Sequence, residues 1–404
     1  MPDLGSRDML PPLPARFRLS PEFRLLLASA WIAPPACRGA QAERIEAAHR
    51  DGVDWGAFFA LIDRHRVVVP LETLREALGA RLPDRVSEQL AARKAEACRV
   101  ALRQLAELAR LSRVFAGRGI DLLPLKGVML SWQLFGDPAM RSTRDLDLLV
   151  RSQCLDAAGE VLREEGYRCL FPDFDLTPRR RQWVLRHSSH FVYRSDDRGQ
   201  LIELHWRLPQ WQADHVAELW DHRRMVTLAG TSLPGLNDEA LLLFLCDHGA
   251  KHEWCRAKWL VDVAALFAQE RRLSWEQVLV LADRCNLTRP LAQAGLLMHW
   301  LFTLPIPHPL RNLIVREDCS PSAMRAVHAL LQSDQESLAL PGRLRSAVNM
   351  VRRRPGSPRF DSLRSCMIST DEFKECPLPD WLFWLYFPLR PLLWFYHYYI
   401  KGMA

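Results

Sequence analysis

Apolar positions recur at helical spacing from about Ser20 to Leu90. Ser20-Pro21-Glu22 supplies a cap with Pro at the first helical position and leads into FRLLLASAW; Trp55, Phe58, Phe59, Ile62 and His65 mark a further apolar face. A long amphipathic helix is predicted over 93–118, stopped by Gly117 and Gly119. The period then shortens. Residues 120–125 (IDLLPL) read as a strand, 128–135 as a helix, Gly136-Asp137-Pro138 as a turn and 146–150 as a second strand. A helix over 152–165, capped by Ser152 and closed by Gly166, precedes a strand over 167–170. HFVYRS (190–195) and LIELHW (201–206) flank Asp196-Asp197-Arg198-Gly199-Gln200, a hairpin signal. After Leu208 the pattern turns helical again: Asn237-Asp238-Glu239 opens one helix, and further patterns cover 258–270 and 274–302.

The order of elements predicts an α+β fold, a small mixed sheet flanked by helical regions on both sides. The expected organisation is a flexible leader over 1–19, an N-terminal helical region over 20–95, a catalytic core over 96–210, a C-terminal helical domain over 211–345, and a basic linker with an aromatic-rich tail over 346–404.

Composition narrows the class. With 404 residues, 49% hydrophobic and 25% charged, the chain has the make-up of a soluble globular protein of two or three domains. The ten cysteines form no CxxC, which argues against a zinc knuckle or a disulfide framework and favours a reducing, cytoplasmic setting. No segment has the length of a signal-peptide core or a membrane span. The net charge of +7 favours polyanionic partners. The basic runs 179–181 and 351–354 read as solvated faces; no regularly spaced stacking aromatics accompany them, so nucleic acid is not an expected partner.

The chemistry concentrates in LLPLKGVMLSWQLFGDPAMRSTRDLDLLV, residues 122–150. Alternation along the strand points Asp145 and Asp147 to one side. Two carboxylates so close repel unless a cation lies between them, and Mg2+ (or Mn2+) suits carboxylate and phosphate oxygens. Glu203, between Ile202 and Leu204, is the candidate third acid. Such a set suits two-metal transfer from a nucleoside triphosphate. Lys126 and Gly127 offer an ammonium and backbone amides to phosphate oxygens, and Arg141 and Arg144 offer neutralising charge.

This block resembles the polymerase-beta-like nucleotidyltransferase superfamily, and within it the bacterial branch labelled uncharacterised nucleotidyltransferase. Gly166-Tyr167, Glu203-Leu204-His205-Trp206, His248-Gly249-Ala250-Lys251 and Trp259-Leu260-Val261-Asp262 match the branch further along, over roughly residues 20–300. The resemblance makes Asp145 and Asp147 metal ligands with Glu203 the third acid, and places Lys126-Gly127 where the superfamily's phosphate-binding turn lies. Glu203 stands where Asp is usual, and Arg144 where a small residue is usual. The resemblance also implies a peptide, sugar or lipid-linked acceptor in modified-peptide or polysaccharide biosynthesis.

Other features have plainer readings beside the functional ones. Lys251 is read as a triphosphate contact or a solvated lysine. His205 is read as hairpin packing, with a base role as the weaker reading. His248 and His252, with Cys255, have zinc-compatible spacing but fit helix packing or phosphate contact better. The aromatic tail is expected to pack on the protein's own surface, with peripheral membrane contact as the alternative. The rival functions are a transferase using a sugar-phosphate donor, a non-catalytic scaffold in a biosynthetic complex, and a toxin that modifies transfer RNA or protein.

Overall fold

The computed structural model describes residues 10–208, 213–228, 230–269, 273–332 and 370–395. The fold is α+β, with a mixed five-stranded sheet and helical flanks. Helices α1 (Pro21–Ser29), α2 (Pro35–Arg50), α3 (Trp55–His65) and α4 (Leu71–Leu78) lead into α5 (Asp84–Gly117). The block that follows is β1 (Leu123–Pro124), α6 (Gly127–Phe135), β2 (Asp145–Leu149), α7 (Leu155–Glu164), β3 (Arg168–Phe171), α8 (Pro178–His187), β4 (His190–Ser195) and β5 (Gln200–His205). The strand order is β1-β2-β5-β4-β3.

The chain divides into two compact units, Met1–Asp147 with Gln210–Ser333, and Leu148–Pro209 with Asp334–Ala404. The division falls inside β2.

In the first unit, Ser20 Oγ accepts from Phe23 N at 3.2 Å, the predicted cap of α1. The second half of this unit contains α9 (Ala213–Asp221), the hairpin β6 (Arg223–Leu228) and β7 (Thr231–Leu236), then α10 (Asp238–Lys251), α11 (Ala257–Phe267), α12 (Trp275–Arg284), α13 (Thr288–Leu297), α14 (His308–Glu317) and α15 (Ser320–Leu331). Asn237 Oδ1 caps α10 by accepting from Ala240 N at 3.0 Å. Residues 240–247 of α10 are all buried, which makes it the central helix of this unit's core. The β6–β7 hairpin stands where the pattern suggested helix. Its register, Arg223↔Leu236 to Leu228↔Thr231, closes around Gly230 at φ +76, while Pro234 obscures the strand signal in the sequence. The apolar pattern over 274–302 is likewise not one helix. Asn286, at φ 56, separates α12 from α13, and a π turn covers Met298–Phe302.

In the second unit, β4 and β5 pair antiparallel from His190↔His205 to Ser195↔Gln200, the predicted hairpin. Phe191, Tyr193, Ile202 and Leu204 are buried, with Ser195 and Gln200 on the same face, and alternation puts His190, Glu203 and His205 on the other. The described part of the aromatic tail packs within this unit. Phe373 and Tyr386 are fully buried, and Trp183 of α8 meets the rings of Phe383 and Phe387 at 5.8 Å. Trp381, Trp384 and Leu392 are exposed. The basic run 179–181 lies in α8, whereas the run 351–354, the rest of 346–369 and the last aromatics, 396–399, lie outside the described residues, as do the first nine residues of the expected leader. Among the described residues no helix is long and apolar enough to cross a membrane.

Candidate active site

The loop before β2 is tied down at four points, and these fix where the Asp-x-Asp strand begins. Asp137 Oδ1 accepts from Ala139 N at 2.8 Å, an Asx turn that explains the Gly-Asp-Pro signal. Ser131 of α6 donates its hydroxyl to Asp137 O at 2.7 Å and accepts from Met140 N at 3.1 Å. Lys94 of α5 pairs with Asp137 at 2.5 Å. Arg141 Nε donates to both oxygens of Asp262 on α11, at 3.0 and 3.2 Å, and both residues are buried. The Asp of the Trp-Leu-x-Asp segment is therefore the partner of the Arg in the block 122–150, a pairing invisible at 121 residues' separation. Burial pushes the Asp262 carboxyl up, against the pull of Arg141.

Beyond this loop, Leu125 N donates to Asp147 O at 3.0 Å and joins β1 to β2. Asp145 is half-buried and Asp147 is 4% exposed. Lys126 and Gly127 open α6. Gly127 has φ +70, a conformation that L side chains resist, so glycine is required there. The free amides of the first helical turn and the positive end of the helix dipole make this terminus suited to anions.

Lys126 and Asp147 are brought together: Nζ lies 2.7 Å from Oδ1. The ammonium also lies 6.0 Å from the centre of the Phe244 ring. A carboxylate this buried needs a positive partner, and the ammonium provides one.

The helix α10 supplies His248 and Lys251 near this point. His248 packs edge-on against His252 and Trp259, at 4.7 and 5.6 Å between ring centres, and His252 stacks on Trp259 at 4.9 Å. Burial, followed by the charges of Lys126, His252 and Lys251, pushes His248 well below the ordinary imidazole range, so it is neutral. Among the described residues His248, His252 and Cys255 form no metal-ligating group. Gly249 has a packing reason: a Cβ there would lie 2.2 Å from the ring of the fully buried Trp254. Lys251 is half-buried at the end of α10.

One residue was not singled out in the sequence. Lys258, at the start of α11, is half-buried; desolvation, then Arg141, lowers its ammonium to about 8, while Asp262 and Asp145 act the other way. Its only sequence signal was its place beside Trp259-Leu260-Val261-Asp262. A cavity of about 300 Å³ in the same unit is lined by Arg66, Arg93, Lys94, Arg141 and Arg144, with Asp63 and Glu96 also in its wall.

The second unit places Glu203 on β5, half-buried, on the same face as His205 and beside His190 of β4. Glu203 Oε2 lies 3.4 Å from His205 Nε2 and 4.0 Å from His190 Nε2.

The carboxylate oxygens of Asp145 and Asp147, hard donors on alternate positions of one strand, fit Mg2+ or Mn2+, and the buried Asp147 already has a cation as its partner.

Comparison with family models matches residues 51–303 to the family described as uncharacterised nucleotidyltransferase. No curated protein and no solved structure matches the chain.

Proposed function

Since the chain belongs to the uncharacterised nucleotidyltransferase family, we propose that it moves a nucleotidyl group from a nucleoside triphosphate to an acceptor hydroxyl. The observation that carries this reading is the Lys126–Asp147 pair at the N-terminus of α6. It joins a metal-type carboxylate to a phosphate-type cation at a helix end suited to anions.

Asp145 and Asp147 are the residues that would hold Mg2+ or Mn2+. Bound there, the ion would supply neutralisation of the triphosphate and a lowered pKa for the acceptor hydroxyl. Lys126, relieved of Asp147 by that charge, would turn to the phosphate oxygens, with the amides following Gly127 beside it. Lys258 and Lys251 would add charge for the departing pyrophosphate. His248, neutral, adds no repulsion to these lysines. Arg141 acts through Asp262: it holds the loop from which β2 starts. In the reaction the acceptor oxygen bonds to the α-phosphorus, the α–β anhydride bond breaks, and pyrophosphate leaves with that electron pair; the hydroxyl proton passes to solvent. Glu203 is proposed as the third acid by resemblance. The acceptor class proposed on the same ground is a peptide, sugar or lipid-linked hydroxyl.

The test is calorimetric titration of each of the four triphosphates with Mg2+, followed by turnover of the one that binds. Metal-dependent binding of one triphosphate, lost in Asp145→Ala/Asp147→Ala, is expected. Turnover should be abolished in Asp147→Asn and lowered in Glu203→Gln. A folded protein that binds none of the four would refute the reading.

A further inference from the structure

The hairpin of the second unit carries a cluster of different chemistry. His190 and His205 face each other across the β4–β5 ladder, and Glu203 is two residues from His205 on the same strand. Alternation therefore puts all three on one face, opposite the buried Phe191, Tyr193, Ile202 and Leu204. The two imidazole centres are 4.9 Å apart, and one ligand atom from each of the three residues lies within 4.8 Å of the other two.

We propose that His190, Glu203 and His205 form a site for a divalent transition-metal ion of the zinc class, held by two imidazole nitrogens and one carboxylate oxygen.

The distances are those a shared ion can span. Both imidazole Nε2 atoms approach the same oxygen, Glu203 Oε2, at 3.4 and 4.0 Å. The longer separation is outside hydrogen-bond reach. Bonds of about 2.0–2.2 Å to one ion require ligand atoms roughly 3.2–3.6 Å apart at tetrahedral angles. The Glu203–His205 separation already lies in that range, and the Glu203–His190 separation exceeds it by about 0.4 Å.

The donor set selects the metal. Neutral imidazole binds zinc, cobalt and nickel well and magnesium poorly, so two nitrogens at Glu203 disfavour Mg2+ there. Three protein ligands leave a coordination position open, as in reactive zinc sites rather than structural ones. His205 is buried, whereas His190 and Glu203 are partly exposed, so the open side is the solvent side. The hairpin itself, rather than a loop, sets the positions of all three ligands, which gives the site a rigid base.

The inference assigns Glu203 to this site in place of the third-acid role that rests on resemblance alone, leaving Asp145 and Asp147 to the Mg2+ of the transferase reading; it stands on the β4–β5 geometry, and its readout is metal binding, not turnover. The full-length protein, stripped of metal, is titrated with Co2+ in the presence of excess Mg2+ and followed by visible absorption. One equivalent of Co2+ should bind with a nitrogen-ligated d–d spectrum and be displaced by Zn2+. His190→Gln, Glu203→Gln and His205→Ala should each weaken Co2+ by at least about tenfold, while Asp145→Asn/Asp147→Asn should leave it unchanged. His205 is buried, so the half-exposed His190→Gln, checked by circular dichroism, carries the decision if His205→Ala misfolds. Absence of Co2+ uptake by folded protein, uptake indifferent to His190→Gln, or displacement by Mg2+ at equal concentration would each overturn the site. If Co2+ binds as expected while no triphosphate does, the transferase reading fails and the metal site stands.

Discussion

Lys126 is one residue with two tasks, and its environment shows which comes first. With no metal present it neutralises Asp147, a carboxylate almost out of contact with water. Removing one partner of such a pair costs about 3 kcal/mol or more because the other charge stays buried. Lys126→Ala should therefore destabilise the metal-free protein by about 3 kcal/mol in denaturant unfolding, and Mg2+ should restore part of that loss by taking the place of the ammonium. If Mg2+ restores nothing, Asp147 is not facing a metal position. Lys258 makes a different prediction. Its folded pKa of about 8 lies below its ordinary 10.5, so it is charged below pH 8 and neutral above. Triphosphate affinity should fall as pH rises through about 8, and the step should vanish in Lys258→Met. The sign for stability is the opposite. Between about 8 and 10.5 the unfolded chain holds the extra proton, so Lys258 becomes less destabilising as pH rises.

The helices around the site are joined by contacts that make each one's placement depend on another. The N-terminus of α11 is an example: His65 Nδ1, from the end of α3, accepts from Ala257 N at 3.1 Å. An accepting nitrogen must be unprotonated, and burial, then Arg64 and Arg256, pushes His65 down to about 3. The unfolded chain protonates this residue near 6.5, so it binds more protons between pH 3 and 6.5. His65 thus contributes stability that is complete above pH 6.5 and lost as pH falls toward 3. His65→Gln, which keeps an acceptor that does not titrate, should flatten the unfolding free energy across that window. The joint between α10 and α11 is steric instead. Glu253 and Trp254 have positive φ, and the Trp254 ring lies over Gly249. Gly249→Ala should cost about 2 kcal/mol by overpacking, measured by chemical unfolding, and Gly249→Ala/Trp254→Leu should recover part of it.

For the molecule as a whole, ligand binding and folding are linked. A ligand that binds only the folded state raises stability, by about 2.7 kcal/mol at a hundred times its dissociation constant. Under the proposed function, the triphosphate that binds should raise the melting temperature only with Mg2+, and Asp145→Asn/Asp147→Asn should remove that rise. The affinity should also weaken with added salt, because a chain of net charge +7 attracts a polyanion partly through its overall field.

Much of this was legible along the chain, and the legible part is local. Period and caps placed α1, α10 and the β4–β5 hairpin, because a helix stripe, a cap or a turn is written in neighbouring residues. The Asp145-x-Asp147 pair and Lys126-Gly127 were legible for the same reason: two-residue alternation and a strand-to-helix turn need no distant information. The tertiary structure alone decided the pairings. Lys126 meets Asp147, Arg141 meets Asp262, His65 caps α11, and Lys258 acquires a lowered pKa, because charge partners and desolvation come from residues far apart in sequence. The His190–Glu203–His205 cluster lies between these cases. The Glu-x-His step was readable on one strand, but only the β4–β5 register brought His190 opposite His205.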